Sequence, residues 1–412
     1  MTARRPAVEV SPDPADETVL PARDASAPRG IAAVVAAIGI MLVAANLRPP
    51  VVSVAPLVDD IMTDIGFSSA AAGLLTTLPV LFFGLSAPFA PRIGARFGIE
   101  RTIFGSLIVL IAGMCLRYLP NTVTLLVGSA VIGAAIGVCN VVLPALIKRD
   151  FAHRSGLMTG LYSMTLSGGA AIAAALTIPI DERVDGNWRL TLTSWSLLAV
   201  VALVVWVPQL SRVHRVVVDH APVSLWRNRI AWSVTVFMGA QSLIFYTFSA
   251  WLPQYLLDHG RTDGQAGAIL AIGQVVALLS SLLIPIVAGR FADQRLITLS
   301  VVGVCAVGFI GLLATDQVVT LWVMLIMFGP GASISLALLF MVLRSPSTAV
   351  TGQVSGMAQS VGYAVAAFGP ILIGALHDVT GSWNVAMAVL GLALLPQGLA
   401  ALLAAKNVTM RV

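Results

Sequence analysis

The sequence predicts an all-α membrane protein with twelve transmembrane helices in two six-helix, pseudo-symmetric halves and both chain ends in the cytoplasm. Three observations lead there. The 412-residue chain is 58% hydrophobic and only 10% charged, whereas soluble domains carry about a quarter of charged residues. Beyond a polar start, apolar stretches follow one another to the C-terminus, each near the roughly 20 residues that cross a bilayer. Short motifs also recur at separations of 194 to 200 positions. A soluble enzyme, a disordered chain and a disulfide-framed chain are excluded. Cys115, Cys139 and Cys305 lie in apolar runs, too far apart for metal-ligand spacing, and read as packing residues.

Residues 1–29 contain Pro6, Pro12, Pro14, Pro21 and Pro28 among charges of both signs, so they are expected to form a disordered cytoplasmic tail. The apolar run that follows is too long for a signal peptide. The first half, 30–210, holds spans at about 31–58, 69–91, 101–118, 122–147, 155–179 and 188–210. A polar stretch, 211–229, is expected to be a cytoplasmic linker. The second half, 230–404, holds spans at about 230–257, 265–289, 296–314, 317–342, 352–376 and 383–404, and 405–412 is a second cytoplasmic tail. Each span is bounded by charges or turn residues. Orientation follows from the cations. With a cytoplasmic N-terminus, 19 of the 24 lysines and arginines fall inside and four outside (Arg117, Arg183, Arg189 and Arg261), and Arg48 lies within a span.

The repeat supports two related halves. Asp64-Ile-Gly66 after span 1 returns as Asp258-His-Gly260 after span 7, and Gly186-Asn-Trp188 before span 6 returns as Gly381-Ser-Trp383 before span 12. Ser155-Gly156 and Ser355-Gly356 open spans 5 and 11. Duplicated halves are the architecture of alternating-access transporters, whose substrate site lies near the midplane between them.

These features resemble the major facilitator superfamily. The loop after span 2, Pro91-Arg92-Ile-Gly94-Ala-Arg96-Phe97, keeps Arg92, Gly94 and Arg96 of that superfamily's signature, with Pro91 in place of its acid and Phe97 in place of its last base. The related loop, Gly289-Arg290-Phe-Ala-Asp293, carries the acid. Longer strings resemble its branch of cyanate permeases and 2-nitroimidazole transporters (CynX/NimT). They include Asn46-Leu-Arg48-Pro49, Asn140-Val-Val-Leu-Pro144, Gly156-Leu-Met-Thr-Gly160-Leu-Tyr162, Gln241-Ser-Leu-Ile-Phe-Tyr246, Ser355-Gly-Met-Ala-Gln359-Ser-Val-Gly-Tyr363 and His377-Asp378-Val-Thr-Gly381-Ser-Trp383. The resemblance covers residues 30–404. It implies a secondary transporter of a small solute in a bacterial inner membrane, for either an anion or a neutral heterocycle.

Arg48 is the sharpest candidate, because a cation in an apolar span costs about 2.5–3.5 kcal/mol on insertion scales and such residues mark sites. The alternative is structural: the guanidinium satisfies carbonyls left free by Pro49 and Pro50, or reaches for the outer interface. Asn46, two residues away, points to the other side of a regular helix. Asn140 lies on a small-residue face with Gly133, Gly137 and Pro144, suited to helix packing or to a cavity. Tyr162, Gln241, Tyr246, Gln274, Gln359 and Tyr363 complete a neutral polar lining around one cation. Arg92, Gly94, Arg96, Arg290 and Asp293 are expected at a cytoplasmic gate. No Asp, Glu or His falls mid-span, which disfavours a midplane proton relay; Asp59, Asp60 and Asp258 at outer helix ends are weaker candidates. With no metal cluster, phosphate loop or catalytic motif, no enzyme, cofactor or nucleic-acid partner is expected, only a small-molecule substrate and the lipid bilayer, for a protein acting as a monomer.

Overall fold

The computed structural model describes residues 30–66, 69–212 and 225–410, so the expected N-terminal tail and most of the 211–229 linker lie outside the described residues. Among the described residues, eleven helices are long and apolar enough to cross a membrane, and a bent pair supplies the twelfth. That pair is span 2, in which Ser69–Ser86 breaks before Ala90–Phe97 with a bend of 58°. Span 1 runs from Ile31 to Leu57 with a break at Asn46–Arg48. Spans 3, 4 and 5 are Ile99–Tyr118, Thr122–Asp150 and Ser155–Arg183. Span 6 joins Trp188–Ser194 to Ser196–Trp206. Spans 7 to 11 are Arg229–Asp258, Asp263–Ala288, Arg295–Ala314, Val319–Arg344 and Thr348–Thr380, and span 12 joins Trp383–Gly391 to Leu394–Ala404. Spans 5 and 11 each continue several residues past their expected ends, through polar turns that a hydropathy reading assigns to loops.

Packing repeats between the halves. Span 1 touches spans 5 and 6, and span 4 touches 2 and 3; likewise span 7 touches 11 and 12, and span 10 touches 8 and 9. Small residues set these approaches. A methyl group at Gly133 or Gly137 of span 4 would run into the backbone of Pro79 or Phe83 in span 2, so the glycine face of span 4 is where span 2 lies. Gly133→Ala should therefore cost about 1–3 kcal/mol, read as a lower midpoint of thermal unfolding in detergent.

The repeated motifs meet each other. Trp188 Nε1 donates to Asp64 Oδ2 at 3.2 Å, and Trp383 Nε1 donates to Asp258 Oδ2 at 2.5 Å. One bridge ties the short helix after span 1, Val58–Ile65, to the start of span 6, and the other ties the end of span 7 to the start of span 12. Arg189 adds an ion pair to Asp64. The opposite face has a second related pair: Arg149 pairs with buried Glu100 at 2.7 Å, and Arg344 donates to Gln294 and to the Ala404 carbonyl. The hydrogen bonds from Arg189 and then Trp188 hold the Asp64 carboxyl below the usual carboxylate range. A depressed carboxylate contributes stability above its unfolded pKa, and that share is lost as pH falls through the folded value. Exposure limits it to under about 1 kcal/mol. Acidifying from about pH 5 to 3 should lower the unfolding midpoint of wild type slightly more than that of Asp64→Asn.

The halves press together on the face that carries both chain ends. A methyl group at Gly156 of span 5 would stand 2.5 Å from the Pro285 carbonyl oxygen of span 8, and one at Gly356 of span 11 would stand 3.0 Å from the Ala87 carbonyl oxygen of span 2. Towards the other face the same helices separate: Gly168, Gly264 and Gly267 have nothing within 4 Å of such a methyl. The molecule is thus closed at the chain-end face and parted opposite it.

Candidate functional site

Span 1 stops being a regular helix where the prolines follow Arg48. The Asn46 and Leu47 amides bond only three residues back, to Val43 and Ala44, and both the Val51 and Val52 amides go to the Arg48 carbonyl. Pro49 and Pro50 have no amide hydrogen to offer. Arg48 sits in this break, half-buried, with Gly169 of span 5 so close that a methyl there would stand 2.6 Å from the Ala45 carbonyl oxygen. The guanidinium carbon is 6.0 Å from the centre of the Tyr246 ring, within cation–π range. Tyr246, Tyr363 and Tyr162 are the phenols within electrostatic reach of its charge. Three of the chain's five tyrosines thus lie near one cation, two of them from the opposite half. Among the described residues, no carboxylate lies within ion-pair distance of Arg48.

Below this cluster, towards the closed face, the Tyr162 hydroxyl donates to Asn140 Oδ1 at 3.1 Å. Gln359 donates from Nε2 to the Asn140 carbonyl and to Ser355 Oγ, both at 2.8 Å. The first of those bonds crosses from one half to the other. Rings wall the cluster: Phe83 and Tyr246 each stand edge-on to Tyr363 with centroids 6.4 Å apart, and Phe245 is 5.4 Å from Tyr246. The arrangement offers a fixed cation that no described carboxylate pairs with, phenolic hydroxyls able to donate or accept, and aromatic faces and edges.

Arg48, Asn140, Tyr162, Tyr246, Gln359 and Tyr363 are therefore brought together. Asn46 is not: it is buried, and its amide donates to the Leu42 carbonyl and to the Leu198 carbonyl of span 6. The break leaves it on the side away from Arg48, where it fastens spans 1 and 6. Gln241 is buried and donates to Ser242 Oγ and Met238 Sδ within span 7. Gln274 reaches Ser249 at 3.5 Å, joining spans 8 and 7. The residues expected at the gate lie on the chain-end face. Arg92, Arg96 and Arg290 are exposed, Arg96 lies over Phe97, and Asp293 pairs with Arg295 in its own half at 2.8 Å. Gly94 is buried in the second segment of span 2, facing Val142. Among the described residues no ion pair joins the halves; the glycine contacts and the Gln359 bond to the Asn140 carbonyl join them instead. Sequence reasoning missed Phe83, because it searched the spans for polar groups. It also missed Arg117, counted as an outer-loop cation but 2% exposed inside the first half.

The Major Facilitator Superfamily profile matches residues 30–370. The chain belongs to the major facilitator superfamily. Within it, this facilitator is 39% identical to the 2-nitroimidazole transporter of Escherichia coli over 366 residues, 87% of this chain and 91% of that one. It is 31% identical to the cyanate transport protein CynX of Escherichia coli over 350 residues, 84% and 90% of the two chains. It is thus a facilitator-superfamily transporter of the CynX/NimT type, and not an enzyme. The fold is also that of the Escherichia coli fucose:proton symporter FucP, with a TM-score of 0.68 at 15% identity over 90% of this chain and 99% of that one. A multi-pass membrane transporter of small solutes whose halves part at one face fits alternating access.

Proposed function

We propose that this facilitator moves a small planar solute with a negatively charged or strongly polarised end, a small anion such as cyanate being the first choice. One observation carries the reading: an arginine with no carboxylate partner among the described residues, its guanidinium carbon 6.0 Å from the Tyr246 ring, which in turn packs on Tyr363, where the halves meet. A guanidinium fork matches an anion or the oxygens of a nitro group. The 39% identity to a 2-nitroimidazole transporter favours a second reading, export of nitroimidazole-like compounds, in which the same ring is held by the aromatic walls. In that case Arg48 contributes less to affinity and more to holding the break.

The cation distribution supports placing the closed, chain-end face in the cytoplasm of a bacterial inner membrane, with the protein acting as a monomer. The buried carboxylates Glu100, Asp150 and Asp181 sit at helix ends, away from the tyrosine cluster. This favours exchange, facilitated diffusion, or a proton carried on the substrate itself. Counterflow into proteoliposomes of labelled cyanate and, separately, of 2-nitroimidazole tests the proposal. Cyanate movement above empty liposomes supports the first reading, 2-nitroimidazole alone supports the second, and neither would overturn both.

A further inference from the structure

A second arginine lies buried in the first half, at the last turn of span 3. Arg117 is 2% exposed, and among the described residues no carboxylate pairs with it. Its Nε donates to Ser129 Oγ of span 4 at 3.0 Å, and its Nη1 donates to the Pro50 carbonyl of span 1 at 2.5 Å. Ser129 is itself anchored to the Leu125 carbonyl at 2.8 Å. Gly128 leaves room for the stem, since a methyl there would stand 3.1 Å from Arg117 Cγ.

The Pro50 carbonyl is not an arbitrary acceptor. After the break, the Ser53 amide bonds to the Pro49 carbonyl, but the Val54 amide bonds to Val51. The helical ladder therefore skips Pro50, and a buried carbonyl without a partner is costly. A charged donor supplies one of the stronger neutralising bonds available. Pro50 is two residues from Arg48, on the segment whose direction after the break aims the guanidinium at the tyrosines.

We infer that Arg117 is a positioning residue for transport: by holding the Pro50 carbonyl against spans 3 and 4, it fixes the break in span 1 and thereby the place of Arg48. This rests on the reading that Arg48 faces the substrate. The buried cation in span 3 is kept, despite its insertion cost, because the proline break needs a donor that the backbone cannot supply.

Hydrogen exchange followed by mass spectrometry on the full-length protein in detergent tests the clamp without any substrate. Arg117→Lys keeps the charge but cannot hold both acceptors as a fork does; Arg117→Met removes both bonds. Peptides covering residues 51–57 should exchange about tenfold faster in Arg117→Met, the equivalent of one hydrogen bond from a charged donor. Arg117→Lys should fall between it and wild type, and peptides from spans 7 to 12 should not change. Where Arg117→Met does not insert, Arg117→Lys decides. Unchanged exchange at 51–57 in the folded variant overturns the clamp.

Uptake of cyanate or 2-nitroimidazole then separates positioning from bulk stability. In the folded variant KM should rise at least about threefold, whereas a merely structural role lowers the amount of protein and leaves KM alone. Arg48→Gln serves as the control. Loss of transport in Arg48→Gln with an unchanged KM in Arg117→Lys overturns the positioning role, while normal transport in Arg48→Gln overturns the reading of Arg48 itself.

Discussion

Arg48→Gln is expected to reduce anion uptake at non-saturating concentration by at least about 100-fold, while the amount of inserted, monodisperse protein stays within about twofold of wild type. The size follows from the setting. A charge-assisted contact removed from a buried anion costs about 3–5 kcal/mol, because the partner is left uncompensated, and 1.4 kcal/mol is about tenfold in an equilibrium constant. Preservation of the fold follows from the same geometry. Among the described residues no carboxylate depends on Arg48, so its loss strands no buried negative charge, and the insertion cost of the cation is relieved. Arg48→Lys keeps a point charge without the fork and should retain about a tenth of the wild-type rate for a small anion. For 2-nitroimidazole both losses should be smaller, since a nitro oxygen carries only part of a charge. Initial rates in proteoliposomes, normalised to inserted protein, check this; wild-type rates in Arg48→Gln for both solutes would remove Arg48 from recognition.

Arg48 was legible because one cation in an apolar run stands out against its neighbours, and the prolines beside it mark broken backbone. Arg117 was not. It stands one residue before the end of its helix, in Leu116-Arg117-Tyr118-Leu119-Pro120, where hydropathy reads a loop; its burial depends on Ser129 and Pro50, 12 and 67 residues away. The Asp64 and Trp188 motifs were visible as repeats, but that they bond to each other, across 124 residues, is a tertiary fact that no periodicity encodes. Tyr246 and Tyr363 could be placed on their helices, not around Arg48, since rotation of one half against the other decides which faces meet. The close glycine contacts between the halves were hidden for a related reason: charges stand out in an apolar chain, and Gly156 and Gly356 showed only as the repeated starts of spans 5 and 11. Yet Pro91, which departs from the signature loop by replacing its acid, has Gly356 as a neighbour.

Bulk at those two glycines should therefore shift the transport cycle. In the closed arrangement a methyl group at Gly156 would stand 2.5 Å from the Pro285 carbonyl oxygen and 3.1 Å from Gly289 Cα, and one at Gly356 would stand 3.0 Å from the Ala87 carbonyl oxygen. These are backbone atoms of another helix, so the neighbour has no rotamer with which to yield. A leucine at either place should penalise the closed face by about 1–3 kcal/mol, and because the two contacts share no residue the penalties should roughly add. States of an alternating-access protein differ by only a few kcal/mol, so the double variant Gly156→Leu/Gly356→Leu should leave the face closed in a minor fraction of molecules. Spin labels on Arg92→Cys and Arg290→Cys, exposed on span 2 and just past the end of span 8, report the outcome by pulsed dipolar spectroscopy. Their distance distribution should move to longer values in each single variant and further in the double one. Net uptake should fall in parallel, because a cycle that rarely closes one face rarely completes. Substrate binding from the chain-end face should survive, since Arg48 and the three tyrosines are untouched. A distribution unchanged in the double variant would show that the glycine contacts do not hold the face shut.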